Sequence, residues 1–412
     1  MALHSLESHI REFAQGRLDA GQETPFLVVD LNEGIDAYTQ FRTKLPRVRP
    51  HYAVKANPDR PLVEVLRDMG SCFDVASIGE IQMLVTPPDK VVEVFNQRGL
   101  GVDPKRLIFA NPVKRLDNIV EALQLGVRLF TADCREELDK ISEASGLAKL
   151  DKSDRPGVLA RIWVPNFGSM IDLSSKFGAE NDETMSMFAH AAGQSLHLHL
   201  RGLAFHVGSQ CVNPTNYTKA TGMAMELMRQ LEQAGHRIDM VDIGGGFPVN
   251  YTLEVSYVDD VLDAVAASIN KIPKHIDVIA EPGRAFCATV ATLFTTIVGR
   301  TVRHGKTWYF IDDSIYHTFS GKIYDLMDYQ FYPLNRAAVP GAEVVVAGCS
   351  CDGHDIISKH SLLPPDLPVG SILYAPNIGA YTSASASYFN GFRPADRLFI
   401  EPNAAVPALG PA

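Results

Sequence analysis

The chain has 412 residues, 46% of them hydrophobic, and a formal net charge of -10. That length suffices for one large domain plus a smaller one, and the acidic balance argues against a nucleic-acid-binding surface, which needs a basic patch to displace counterions. No window approaches the roughly 18 consecutive apolar residues of a membrane helix, and the six scattered cysteines, with no Cys-x-x-Cys pair, fit neither a disulfide framework nor a zinc site.

The segment from Met1 to Phe13 mixes acids and bases among helically spaced apolar residues, without the basic-then-apolar layout of a secretion signal, so a cytoplasmic location is expected. A strand-like run, PFLVVDL, follows near position 25, with no helix of its own. From about position 48, eight short β-branched runs alternate with helical patterns. They are VRPHYAV, SCFDVAS, RLIFAN, VRLFTA, GVLARIWV, RGLAFHVGS, IDMVDIGGG and IDVIAEPG. Between them lie segments such as RPLVEVLRDMG and YTKATGMAMELMRQLEQAGH, whose apolar residues recur at i, i+3, i+4 and i+7. Strand and helix alternating eight times predict a (β/α)8 barrel in preference to an open doubly wound sheet. After about Phe286 the texture changes to ATLFTTIVGR, KTWYFIDDS, AEVVVAGCS, SILYAPNIGAY and DRLFIEPN, strand-like runs without long helical intervals. The expected organisation is a barrel over 33–286, with a mostly β unit built from 1–32 and 287–412. Cys349 and Cys351, if on a strand, point to opposite faces.

A barrel places its active site at the C-terminal ends of its strands, with phosphate bound after strands seven and eight. Strand seven runs into Gly244, Gly245 and Gly246, whose backbone can approach an anion closely. Strand eight runs into Glu281, Pro282, Gly283 and Arg284, an arginine placed to grip a phosphate. A glycine triplet alone is more often a tight turn; its coincidence with the expected phosphate position reverses that reading. Lys55 ends strand one and faces the same mouth, where an amine serves either as a charge contact or as a Schiff-base former with a carbonyl cofactor. Pyridoxal phosphate needs such a lysine, a carboxylate for its ring nitrogen, a phosphate cup and a group stacked on the ring. Glu281, the glycine run and His206, at the end of strand six, can supply the last three.

The combination YAVKAN, FDVAS, SKFG, FHVGSQ, DIGGGFP, EPGR, CDGHD and YFNGF resembles the fold-type III pyridoxal-phosphate decarboxylases, the group of ornithine, lysine, diaminopimelate and biosynthetic arginine decarboxylases. The motifs run in order from about residue 50 to 392, nearly the whole chain, and ornithine decarboxylase is the nearest match. The resemblance implies a barrel plus β-domain architecture, pyridoxal 5'-phosphate as cofactor, a small amino-acid substrate and a homodimer with active sites shared between subunits. It makes Lys55 the lysine that carries the cofactor, His206 the ring-stacking residue and Glu281 the partner of the ring nitrogen. Asp74 becomes an acid beside lysine and ring, and Arg161 and Lys176 become basic residues of the barrel wall. Ser209, Gly244 to Gly246, Gly283, Arg284 and Tyr381 become the phosphate ligands. Cys351 and Asp352 match a pair that reaches into the partner subunit's site, with Cys351 the acid that returns a proton to Cα. Asp325 matches a substrate-reading acid, while Tyr316 and Phe389 line the neighbouring site.

Two distal acids, Asp325 and Asp352, suit a terminal ammonium, and the Cys-Asp-Gly version of the motif points away from diaminopimelate. The implied reaction is decarboxylation of a basic diamino acid, ornithine to putrescine first, in polyamine synthesis. Lysine or a diamino-acid conjugate is the alternative. A regulatory homologue without catalysis and a racemase of the same barrel type are the competing classes. The complete set of cofactor residues disfavours the first, and the Cys-Asp pair with YFNGF disfavours the second.

Overall fold

The structure, a computed structural model, describes residues 6–166, 168–251, 258–335, 341–403 and 406. The outermost residues assigned above to the β-rich unit, 1–5 and 407–412, lie outside the described set. Helix α1 (Ser8–Asp19) leads to strand β1 (Phe26–Asp30), buried along its whole length. A helix does follow this strand, contrary to expectation: α2 (Leu31–Lys44) begins at once, its first turn capped by Asp30, whose Oδ1 accepts the Asn32 N–H at 3.0 Å. Gly34 and a run of polar residues dilute its apolar face, which reduces to Leu31, Tyr38 and Phe41. That is too thin a stripe to announce a helix from periodicity.

Eight parallel strands then close into a barrel. They are β2 (Val48–Ala53), β3 (Cys72–Val75), β4 (Leu107–Phe109), β5 (Leu129–Ala132), β6 (Gly157–Arg161), β7 (His199–Ala204), β8 (Met240–Asp242) and β9 (Asp277–Ala280). Seven fall within the eight β-branched runs, β7 begins two residues before its run, and β9 pairs with β2 through Val278 and Val48 to complete the circle. Ile108, Leu159, Ala204, Met240 and Ile279 form one buried cluster across five of these strands. Because alternate residues of a strand share a face, the next inward positions are two residues on. Four of them are Arg161, His206, Asp242 and Glu281, so the barrel is apolar at mid-height and charged at its C-terminal mouth.

The strands after the barrel build, with β1, an eight-stranded sheet, and two short two-stranded ladders lie outside both (Val91–Val92 with Gln97–Arg98, Ser169–Ile171 with Ser209–Cys211). The strands after the barrel are β10 (Ala291–Arg303), β11 (Lys306–Ile311), β12 (Tyr332–Pro333), β13 (Ala342–Ala347), β14 (Ile356–Leu363), β15 (Ile372–Ala375) and β16 (Asp396–Ile400), in spatial order β12-β15-β10-β11-β13-β14. β1 completes the sheet, antiparallel to β10 and parallel to β16. Phe26 stacks on Phe294 across the first pairing, ring centroids 5.2 Å apart. β13 stops at Ala347, so Cys349 and Cys351 lie on a loop and their facing is not set by strand alternation. No helix among the described residues is long and apolar enough to cross a membrane.

Candidate active site

Lys55 sits in a one-turn helix, Val54–Ala56, that ends β2. Asn57 stops the turn: its side chain donates to Gly379 O at 2.9 Å and accepts the Asp59 N–H at 2.9 Å, and Pro58 disfavours further helix. Lys55 is thereby aimed into the barrel mouth, where its Nζ lies 2.5 Å from Asp74 Oδ2 and its side chain keeps 44% of its surface open. Burial works against the ammonium, but the carboxylates of Asp74 and Glu281 outweigh it and hold its pKa above the ordinary lysine value. The neighbouring strand β3 supplies Asp74, 1% exposed, whose Oδ1 has no hydrogen-bond donor among the described residues. Ser77 and Glu80 then cap helix Ile78–Val85: Ser77 Oγ accepts the Glu80 N–H, and Glu80 Oε2 accepts the Ala76 N–H at 2.6 Å. Burial lifts Glu80 to about 7.

Asp242 accepts the Gly244 N–H at 2.8 Å through Oδ1, while Oδ2 has no hydrogen-bond partner among the described residues. Burial raises Asp242 to about 7, and burial with the neighbouring Asp242 and Asp74 charges pushes Glu281 well above the carboxylate range. His206 accepts the Gly208 N–H at Nδ1 (3.0 Å), leaving Nε2 as the protonated nitrogen of a neutral ring. Burial and the positive charges of Arg161 and Lys55 hold it neutral. Arg161, its guanidinium over the Phe177 ring at 5.0 Å, and Lys176, at 4.9 Å from the same ring, form part of the wall.

Beside this cluster the backbone makes a cradle. A Cβ on Gly244, which has φ +66, would lie 2.1 Å from Phe205 O, and one on Gly246, φ +94, would lie 2.2 Å from Gly208 O. On Gly245 it would meet Glu281 O at 2.6 Å and His206 Nε2 at 3.0 Å. Gly283 allows the same close approach to Ala56 and to the Tyr381 hydroxyl. Tyr381 is itself held at φ 56, pinned by its N–H on Ala56 O at 2.8 Å and by Tyr324 donating to its carbonyl at 2.6 Å. Such a backbone persists only where its surroundings over-determine it. Arg284 lies at the rim of the cradle. Its Nη1 donates to the Tyr251 hydroxyl at 2.6 Å, and its Nη2 to Ser209 Oγ at 3.1 Å and Asp325 Oδ2 at 2.5 Å, while Nε has no acceptor. Asp325 is therefore buried against Arg284, where the sequence suggested an acid open to substrate.

Tyr316, Cys351, Asp352 and Phe389 form a second group. Tyr316 donates to Asp352 and packs on Phe389 with ring centroids 4.1 Å apart. That hydroxyl first, and His354 second, pull Asp352 down to about 2. Cys351 is exposed, and its N–H and Sγ reach Asn390 Oδ1. Asp242, Tyr251 and Glu80 had drawn no attention in the sequence. Asp242 was legible as the inward position two residues after Met240; Tyr251 and Glu80 carry no such signal.

Buried carboxylates without donors ask for a cation, the glycine cradle and Arg284 ask for an anion, and Lys55 offers an amine between them. A protonated pyridine ring bearing a phosphate and an aldehyde meets all three demands, so the residues fit pyridoxal phosphate. The fold and site thus define a barrel enzyme that works through this cofactor. Residues 32–288 match the family model described as "Pyridoxal-dependent decarboxylase, pyridoxal binding domain". A lysine/ornithine decarboxylase of Selenomonas ruminantium is 35% identical over 381 residues, 92% of this chain and 90% of that protein. Among solved structures, a lysine/ornithine decarboxylase from Vibrio vulnificus complexed with putrescine superposes with TM-score 0.83 at 30% identity, covering 96% of this chain and 99% of the other. The arginine decarboxylase of Paramecium bursaria Chlorella virus gives 0.83 at 31% identity, covering 95% and 100%. The chain belongs to the pyridoxal-phosphate-dependent decarboxylases of basic amino acids, and is a carboxy-lyase of that family.

Proposed function

We propose that the chain decarboxylates a basic diamino acid, L-ornithine before lysine, and so makes putrescine for polyamine synthesis. The observation that carries the reading is Asp352, held ionised by the Tyr316 hydroxyl on a surface otherwise faced by aromatic rings. A fixed negative charge beside aromatic rings selects a terminal ammonium, as in ornithine or lysine, and fits a guanidinium less well because Tyr316 occupies Oδ2 and His354 already donates to Oδ1. Cys351 and Asp352 find their polar partners at Tyr316, His354 and Asn390, while Lys55 finds its partner at Asp74. This separation supports a homodimer in which each subunit lends the exposed group to its neighbour's barrel, and a cytoplasmic enzyme goes with that reading. A diamino-acid conjugate is the alternative substrate.

When bound, pyridoxal phosphate supplies an electron sink for the pair left at Cα as CO₂ departs. Lys55 gives up its place to the substrate amine, with Asp74 beside it to hold the released ammonium. Glu281 would keep a proton on the ring nitrogen, His206 would stack on the ring, and Arg284, Ser209, Tyr381 and the glycine cradle would hold the phosphate. Cys351 Sγ of the neighbouring subunit delivers a proton to Cα. The test is CO₂ release by the cofactor-loaded protein on ornithine, lysine, arginine and a conjugated diamino acid, with products identified by mass. Turnover of ornithine with putrescine formed is expected. Preference for arginine, or silence across the panel, overturns the reading.

A further inference from the structure

The opposite end of the barrel carries a cavity of about 490 Å³, a size that takes a small organic ligand. Three αβ loops build it: Lys152 to Arg155 before β6, Ser195 to Leu198 before β7, and Gly235 to Arg237 before β8. β6, β7 and β8 are neighbours in the barrel, so their parallel starts bring these loops together.

The charge in this cavity is one-sided. Lys152, Arg155 and Arg237 line it, and none of the three has a hydrogen-bond or ion-pair partner among the described residues. Acids of the same loops are committed elsewhere: Asp154 to Arg128 at 2.7 Å, and Asp239 to Arg201 at 2.9 Å. No carboxylate lines the wall. Arg155 and Arg237 both act on the His199 imidazole, whose pKa burial lowers most, with Asp239 opposing that shift and Arg201, Arg155 and Arg237 adding to it. In a chain of net charge -10, a cavity lined by three cations and no carboxylate is a local inversion.

The floor is apolar and aromatic. Phe188, Leu196, Leu198 and Leu200 form it, and His236 stands edge-on to Phe188 with centroids 5.3 Å apart. His197 is fixed by its N–H on Ser142 Oγ at 2.8 Å. A flat apolar floor beside imidazoles receives a heteroaromatic ring, and three unpaired cations at the rim receive a phosphate bidentately.

We propose that this cavity is a binding site for a nucleoside monophosphate, with the base on the Phe188 and His236 side and the phosphate held by Arg155, Arg237 and Lys152. It is independent of the reaction at the other end of the barrel and does not rest on the substrate assignment.

The test is isothermal titration of the pyridoxal-phosphate-loaded protein with AMP, the loaded state keeping the phosphate cradle at the mouth occupied. Adenosine and inorganic phosphate are titrated separately. Saturable AMP binding is expected, weakened about tenfold or more in Arg155→Ala/Arg237→Ala, with adenosine and inorganic phosphate each binding far more weakly than AMP. Both arginines are exposed loop residues, so an unchanged melting temperature verifies the fold of the double variant. Absence of saturable heat with AMP, or equal affinity in the double variant, overturns the proposal. Inorganic phosphate binding as tightly as AMP overturns the nucleoside assignment.

Discussion

Asp325 and Glu281 carry sharper expectations than their residue types alone suggest. Asp325 neutralises Arg284 at 2.5 Å, and in the proposed arrangement the cofactor phosphate would compete with it for that guanidinium. Asp325→Asn removes the competing charge, so pyridoxal phosphate is expected to be retained about threefold to tenfold more tightly, even if substrate KM rises. Cofactor titration by absorbance reads the effect, and weaker retention would show that Asp325 supports the cup instead. Glu281 and Asp242 hold protons in the folded chain that they release on unfolding, Asp242 up to about 7. The stability they contribute is therefore complete below about pH 4 and is lost as pH rises through the folded values, at up to about 1.4 kcal/mol per pH unit for each group. A bound pyridinium offsets that loss. The gain in melting temperature on adding the cofactor should grow from pH 5.5 to 7.5 in the native protein and stay flatter in Glu281→Gln. Parallel curves for the two proteins would remove Glu281 from the ring nitrogen. Lys55, His206 and Glu281 were legible because each ends a β-branched run. Asp325's pairing with Arg284 was not, because it joins residues 41 positions apart through side chains alone.

At the scale of elements, the glycine run works by what it leaves out. Gly246→Ala would place a methyl 2.2 Å from Gly208 O at φ +94, so a loss of about 2 kcal/mol or more is expected, together with cofactor leakage on dialysis. Gly16→Ala, in a helix with nothing within 4 Å of the added methyl, should stabilise by about 0.5–1 kcal/mol. A Gly246→Ala protein with native melting and retention would show that the loop has other conformations open to it. The barrel strands could be read in advance because most of their residues are buried on both faces and so read as largely apolar runs. Helix α2 could not, since its face is thin and interrupted by Gly34.

For the whole molecule, the separation of Lys55 from Cys351 predicts complementation. Mixing Lys55→Ala subunits with Cys351→Ala subunits should recover up to about a quarter of native activity, since half the exchanged dimers are hybrids and one site in each is intact. No recovery after verified subunit exchange would refute the shared site.

The pairing of β1 with β16 also sets a timetable. Residue 396 is polymerised about 370 residues after residue 26, a delay of roughly 20–70 s at about 5–20 residues per second. The barrel strands are all complete well before that, so the ribosome carries a closable barrel while β1, Phe-Leu-Val-Val-Asp, still waits for its last neighbour in the other sheet. During that interval an adhesive edge is on offer to any passing nascent chain. Slowing translation near the 3′ end of the message lengthens the exposure without changing a single residue of the finished enzyme.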